Sequence, residues 1–340
     1  MKIAFAGATD VGRVRHHNED NFAIDEPRRL MIVCDGMGGH AAGEVASQIG
    51  IESITGLFAK PGPGPFGQES FRYPEPITAE GKLLVGAIAV ANHRIIHHSR
   101  AVPGQTGMGT TVVACHFAEG IVTVCHVGDS RAYLVRDGIA RRVTIDHSWV
   151  SEMMEKHNLS EEEAEAQVNK NVITRALGTK PAIRVDISQL RLCNNDIFVI
   201  CSDGLTGMVS DSEIMRAVEA NAANLGTLVQ TLIDQANAAG GADNVTVCAA
   251  RVLETKEAAD FDEVRRVTVD WSEEPEMSAL AAVCAESFSE APNPAANASA
   301  AFEETQGIKT PGAKKKRLIS PLAIIIFIIV LIIILAIWYS

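Results

Sequence analysis

Val33-Cys34-Asp35-Gly36-Met37-Gly38-Gly39-His40 sets the reading of the whole chain. The apolar run at 30–34 predicts a buried strand, and it stops on an aspartate followed by glycines. A strand that ends this way presents a carboxylate at the sheet edge and lets another backbone or a ligand come close. Asp-Gly is also a common hairpin-turn pair, so this stretch alone reads as an ordinary turn. Repetition changes that reading. The same device returns at Gly128-Asp129-Ser130, Ser202-Asp203-Gly204 and Ala242-Asp243-Asn244, and Asn18-Glu19-Asp20 supplies a fifth acidic group.

Outward from this stretch, short β-branched runs predict strands at 4–9, 30–34, 110–116, 121–127, 131–136, 187–192, 196–201 and 244–252. Turn pairs such as Glu119-Gly120 and Asp137-Gly138 separate them. Amphipathic helices are expected at 41–58 and 78–98, the second with its stripe at Leu84, Ile88, Ala91 and Ile95. Capping-box spacing starts two more, at Ser160 with Glu163 and Ser210 with Glu213. A last helix, 225–238, repeats apolar residues at Leu225, Leu228, Val229, Leu232 and Ile233. The Pro- and Gly-rich stretch 60–76 is expected to be a surface loop. Hairpin-joined strands with helices in separate pairs predict an α+β fold of antiparallel sheets layered with helices.

Composition divides the 340 residues into three parts. Residues 1–253 read as one globular domain. Residues 254–313, rich in Ala, Glu, Asp and Pro, read as an acidic disordered linker. Lys314-Lys315-Lys316-Arg317 then precedes 318–339, which carries no charge and ends on Trp338 and Tyr339. Its core, 322–339, would span about 27 Å as a helix, close to the hydrocarbon thickness of a bilayer. With basic residues on the cytoplasmic side, it predicts a single C-terminal transmembrane helix and a cytoplasmic domain at the cell membrane.

A net charge of −12 argues against a nucleic-acid partner. The seven cysteines show no metal-ligand spacing, and five lie in strand-like runs as small buried hydrophobes. Residues 2–9 are too short and polar for a signal peptide, so a reduced, cytosolic main domain is expected.

Any one of the aspartates is explained by turn formation or capping. Gathered together, they offer hard oxygen ligands that suit Mg²⁺ or Mn²⁺ better than zinc. Two carboxylates about 4 Å apart repel by about 4 kcal/mol at an effective dielectric near 20, so such a cluster calls for a cation.

The order of segments closely resembles the metal-dependent PPM-type (type 2C) Ser/Thr protein phosphatases, bacterial branch. The carriers begin with 9–20 and 33–40, then Gly107-Met108-Gly109-Thr110-Thr111, 127–133 and Asp146-His147-Ser148. They close with 171–178, Ser202-Asp203-Gly204-Leu205 and Asp243-Asn244-Val245-Thr246. The resemblance implies a four-layer α-β-β-α sandwich, two antiparallel sheets flanked by helix pairs, with metals at one end.

In such enzymes Asp35 would bridge two Mn²⁺ or Mg²⁺ ions and Gly36 would offer its carbonyl. Asp203 and Asp243 would hold the other metal, Asp20 with Glu19 beside it would bind through water, and Asp129 with Asp203 would take a third, weaker ion. Arg15 would grip the substrate phosphate, because a planar guanidinium fork meets two phosphate oxygens at once. The implied reaction is hydrolysis of phosphoserine and phosphothreonine on proteins by a hydroxide bridging two metals, with Arg15, Asp35 and Asp203 catalytic. The implied partners are phosphoproteins and a Ser/Thr protein kinase whose work it reverses. Met37 stands where eukaryotic members carry a histidine, which leaves the proton donor open, with His40 close by. Residues 148–172, with Trp149, Met153 and Met154, resemble a flap beside the active site. Two alternatives stay open on sequence: a catalytically weak phosphoprotein-binding regulator, and a phosphatase of small phosphorylated metabolites.

Overall fold

The computed structural model describes residues 1–38, 42–60, 62, 64–67, 71–74, 77–168, 172–255 and 265–288. All of these belong to one compact unit, Met1–Ser289. His40, the region from 290 onward and the segment expected to cross a membrane at 318–339 lie outside the described residues. Among the described residues no helix is long and apolar enough to cross a membrane.

The strands in chain order are β1 (Lys2–Asp10), β2 (Asp20–Asp25), β3 (Leu30–Met37), β4 (Gly109–Thr110), β5 (Val112–Ala118) and β6 (Ile121–Val127). They continue as β7 (Arg131–Arg136), β8 (Ile139–Arg142), β9 (Ile183–Arg191), β10 (Ile197–Cys201), β11 (Val245–Glu254) and β12 (Arg265–Trp271). The helices are α1 (Ala42–Phe58), α2 (Ala79–Ala101), α3 (Trp149–His157), α4 (Glu161–Glu165), α5 (Asp203–Thr206), α6 (Asp211–Asn221), α7 (Leu225–Ala238) and α8 (Glu274–Phe288). One sheet runs β1-β11-β10-β7-β8 and the other β12-β9-β6-β5-β3-β2, with β4 paired to β3. Every pairing is antiparallel.

Strand alternation builds the layers. On β3, Leu30, Ile32 and Cys34 pack under α1 and α2, while Met31 and Val33 face the opposite sheet. On β10, Ile197, Val199 and Cys201 pack against α6 and α7, while Phe198 and Ile200 face inward. The inner layer is thus sheet on sheet, and each outer face is covered by a helix pair, as the resemblance implied. Both capping boxes form, at Ser160 with Glu163 and at Ser210 with Glu213. All seven cysteines are free thiols, and the five expected in strands are buried.

Two sequence expectations fail, and they fail together. The linker does not begin at 254: β12 pairs along β9 from Arg265↔Gln189 to Trp271↔Ile183, and α8 packs on α2. The stretch 60–76 is not merely a surface loop, because Phe66 and Phe71 are buried. Trp271 joins them, with ring centroids 6.4 Å from Phe66 and 4.8 Å from Phe71. Its Nε1–H donates to the Arg72 carbonyl at 3.1 Å. Gly86 on α2 leaves room for the Phe66 ring, which a β-carbon there would strike. At the end of α8 the Phe288 ring lies under the Arg94 guanidinium, 4.0 Å from its centroid.

A chain ended after Leu253 should therefore unfold at lower urea than one ended after Ser289. Trp271→Ala in the longer chain should cost about 3–5 kcal/mol, the usual range for a buried Trp. Equal midpoints for the two truncations would refute the account.

Candidate active site

The acidic residues sit at one end of both sheets because their strands start or stop there. Asp20 opens β2 and is paired directly across from Asp35 on β3. Asp129 lies in the turn from β6 to β7, Asp203 follows β10, and Asp243 precedes β11. Like charges directly opposite on neighbouring strands are unfavourable, so this register needs compensation.

Part of it comes from hydroxyls. Asp20 is 4 % exposed, and its Oδ2 accepts from Ser202 Oγ at 2.8 Å and from Thr246 Oγ1 at 2.7 Å. Both donors end strands of the other sheet. Ser202 sits at the N-cap of α5 yet makes no capping bond there, since its hydroxyl donates to Asp20 and accepts from the Thr246 N–H at 3.0 Å. The Asp35 backbone is fixed on both sides. Its N–H donates to Thr111 Oγ1 at 3.1 Å, and its carbonyl accepts from Thr110 Oγ1 at 2.9 Å and Thr111 N–H at 2.8 Å. Glycine is required beside it: a β-carbon on Gly36 would overlap the carbonyls of Gly43 and Glu19. Asn244 ties the opening loop down, accepting from Glu19 N–H and donating to the Val11 and His17 carbonyls.

Burial dominates the electrostatics. It pushes Asp20 up to about 7, aided by the charges of Asp203 and Asp243 and opposed by the Thr246 and Ser202 hydroxyls. Burial likewise raises Asp129 to about 7, with Asp203 adding to it. Asp35 lies well above the usual carboxylate range, from burial and then from Asp20, Asp203 and Asp129. Asp203 and Glu19 are raised too, burial again being the largest cause. Neighbouring carboxylates raise the cost of ionising Asp35, Asp129 and Asp203, so the cluster holds its protons more tightly than free carboxylates do.

Every sequence-predicted site residue reaches this end. Asp20, Asp35, Asp129, Asp203 and Asp243 act on one another electrostatically, Gly36 adjoins Asp35, and Glu19 lies beside α1 near Gly43. Arg15 is exposed, and its Nη2 donates to Asp243 Oδ2 at 2.7 Å. The set fits divalent cations by an independent mark: Asp129 Oδ1 is buried with no hydrogen-bond partner. An all-oxygen donor set with an orphaned carboxylate oxygen suits Mg²⁺ or Mn²⁺.

The acids do not contract onto a single point. Among the described residues, the group of ligating side chains that closes to within 4.8 Å is His126, His147 and Asp186. Its polar atoms already bond to protein groups, so it reads as a structural cluster. Met37 is paired with Gly109.

Sequence reading missed the supporting hydroxyls of Thr110, Thr111, Ser202 and Thr246, and that of Ser130, which lies 2.7 Å from Thr111 Oγ1. The available signal was a Ser or Thr within three residues of Asp129, Asp203 and Asp243. The feet of the expected flap are pinned together, with Ser148 bridged to Ile173 and Trp149 N–H donating to the Val172 carbonyl. Between them Trp149 is half exposed.

A family model described as protein phosphatase 2C matches residues 4–245. The serine/threonine phosphatase stp of Listeria monocytogenes serotype 4b (strain F2365) is 36% identical over 244 residues, 70% of this chain and 92% of that protein. The serine/threonine protein phosphatase PstP of Mycobacterium tuberculosis (strain ATCC 25618 / H37Rv) is 34% identical over 258 residues, 75% of this chain and 46% of that protein. A crystal structure of the M. tuberculosis phosphatase PstP/Ppp superposes with a TM-score of 0.65 at 33% identity, covering 74% of this chain and 99% of that one. The PstP catalytic domain in complex with two manganese ions gives 0.63 at 33% identity, with the same coverage.

The raised carboxyls fix a sign. They hold protons in the folded chain that the unfolded chain has shed above about pH 4, so unfolding releases protons. Their contribution is present below that pH and is lost as pH rises through about 7. Ligation requires the same protons to leave, so the rise in Tm caused by Mn²⁺ should grow from pH 5 to pH 8. At 100 times Kd the stabilisation should reach about 2.7 kcal/mol. Asp203→Asn should shrink it; an unchanged response in that variant would remove Asp203 from the site.

Proposed function

The chain belongs to the protein phosphatase 2C family, and from that premise we propose that it hydrolyses phosphoserine and phosphothreonine on proteins with the help of two Mn²⁺ or Mg²⁺ ions. One observation carries this reading: Asp20, Asp35, Asp129 and Asp203, from distant strand ends, are gathered where burial raises each of them, a cost that bound cations repay.

In this reading Asp35, Gly36, Asp203 and Asp243 hold the two ions, and Asp20 with Glu19 binds through water. Asp129 with Asp203 takes a third, weaker one. When bound, such ions supply hydroxide near neutral pH and screen the charge of the phosphoryl oxygens. The protein does the rest. Asp35 and Asp203 would have to be ionised to serve as ligands, while Asp20 stays clamped by Ser202 and Thr246. Arg15 turns its fork from Asp243 to the phosphate, where two oxygens accept from it together. Met37, a thioether, has no proton to give the departing alkoxide. The flap at 148–172 brings Trp149 to the protein body of the substrate.

The partners in this reading are phosphoproteins and the Ser/Thr kinase that makes them. The anchoring half rests on sequence: the uncharged run 318–339 after Lys314-Lys315-Lys316-Arg317 holds the chain to the cell membrane with the phosphatase unit on the cytoplasmic side.

The deciding experiment gives the full chain a phosphoserine peptide and, separately, free phosphorylated metabolites, with and without Mn²⁺. Turnover of the peptide, dependent on Mn²⁺, is expected; preference for metabolites would overturn the substrate class. Arg15→Ala should lower kcat/KM by about 10- to 100-fold, the worth of a hydrogen bond to a charged group. Unchanged kinetics would free Arg15 from phosphate binding. Fractionated cells should hold the full chain in the membrane pellet and a chain ended after Ser289 in the supernatant.

A further inference from the structure

Beneath the Asp129 loop, a line of hydrogen bonds starts on a strand outside the matched family segment. Thr268, on β12, donates its hydroxyl to Asp186 Oδ1 at 2.8 Å. The other oxygen, Asp186 Oδ2, is 3.1 Å from His147 Nε2. His147 Nδ1 lies 3.0 Å from the backbone nitrogen of Gly128, the residue before Asp129.

The tautomer follows from these partners. A backbone N–H only donates, so His147 Nδ1 accepts, and in the neutral ring Nε2 carries the proton and donates to Asp186. The main chain doubles the link, since His147 N–H donates to the Gly128 carbonyl at 2.9 Å. Arg175 donates to Asp186 Oδ1 at 3.2 Å, and the His126 ring stacks on His147 at 4.6 Å. His126 is itself fixed by its Nε2–H to the Ile145 carbonyl. His147 is buried, so its ring has little freedom to turn away. Gly128 has a positive φ of 115° that side chains resist, so the position of its peptide is set by what holds it.

We propose that His147 and Asp186 are positioning residues for the loop that carries Asp129, and that Thr268 of β12 completes their grip. The imidazole holds the Gly128 N–H, the carboxylate holds the imidazole, and the added strand holds the carboxylate. The family match ends at residue 245, so this last link is contributed by a part of the chain beyond it. The consequence falls on the metal bound most weakly, the one assigned to Asp129, and this inference rests on that part of the proposed function. Outer groups that orient a metal-binding group are commonly worth 10- to 100-fold in affinity.

The test uses the full chain and counts bound Mn²⁺ by the electron paramagnetic resonance signal of the free ion, alongside phosphopeptide turnover across Mn²⁺ concentrations. His147→Ala should weaken the weakest Mn²⁺ site by about tenfold or more while the two tighter sites hold. His147→Asn should stay within about threefold of wild type, because its amide oxygen can accept from Gly128 N–H as Nδ1 does; His147→Gln should not rescue. Thr268→Val, nearly isosteric and on an edge strand, should weaken the same site by a few-fold with Tm little changed. Variants that bind all Mn²⁺ like wild type would overturn the proposal. So would equal losses in the Ala and Asn variants, which would mark a merely structural role. A wild-type chain that binds no Mn²⁺ would sink the proposed function first and this inference with it.

Discussion

A single carboxylate joins the two sheets at the end where the chemistry lies. Asp20 belongs to the β2 edge of one sheet, and the hydroxyls that grip its Oδ2 belong to the β10 and β11 ends of the other. Much of the contact between the sheets is through apolar side chains such as Phe117, Phe198 and Ile200, which resist separation but fix no angle. Directional bonds at one corner add what apolar contact lacks. They bring Asp35, directly across from Asp20, to the same corner as Asp203 and Asp243.

That arrangement works against the stability of the bare fold. Burial raises Glu19, Asp20, Asp35, Asp129 and Asp203, and the neighbouring carboxylates add to it. The surrounding structure bears this through satisfied backbone groups: Thr110 and Thr111 hold Asp35, and Asn244 holds the opening loop. A group of carboxylates kept this dry is a reservoir for divalent cations, because a cation relieves burial and repulsion at once. Asp129 Oδ1, buried and unpartnered, shows the same logic at its edge.

The added β12 and α8 change how the fold ends. They lengthen the larger sheet by a strand and give Phe66 and Phe71 an aromatic partner in Trp271. They also place Thr268 within reach of Asp186, and so beneath the active end. An edge strand that touches both a core cluster and the support of a functional loop couples the two, whatever lies beyond residue 288.

Local pattern determined a great deal. Eight of the strands, the capping boxes and the identity of each acid were legible, because strand alternation, capping spacing and Asp-Gly strand ends are written within a few residues. Family resemblance supplied the layer order and assigned the roles. Tertiary contact alone decided three things. The hydroxyls of Ser202 and Thr246 choose Asp20 over their own local backbone because they lie 182 and 226 residues from it in sequence. The tract after 254 looked too polar and alanine-rich to fold, although Val267, Val269 and Trp271 alternate correctly for a strand. A short edge strand is stable only when a neighbour supplies its hydrogen bonds and Phe66 and Phe71 supply its apolar cover. Those partners lie far away in sequence, so no local window could show them.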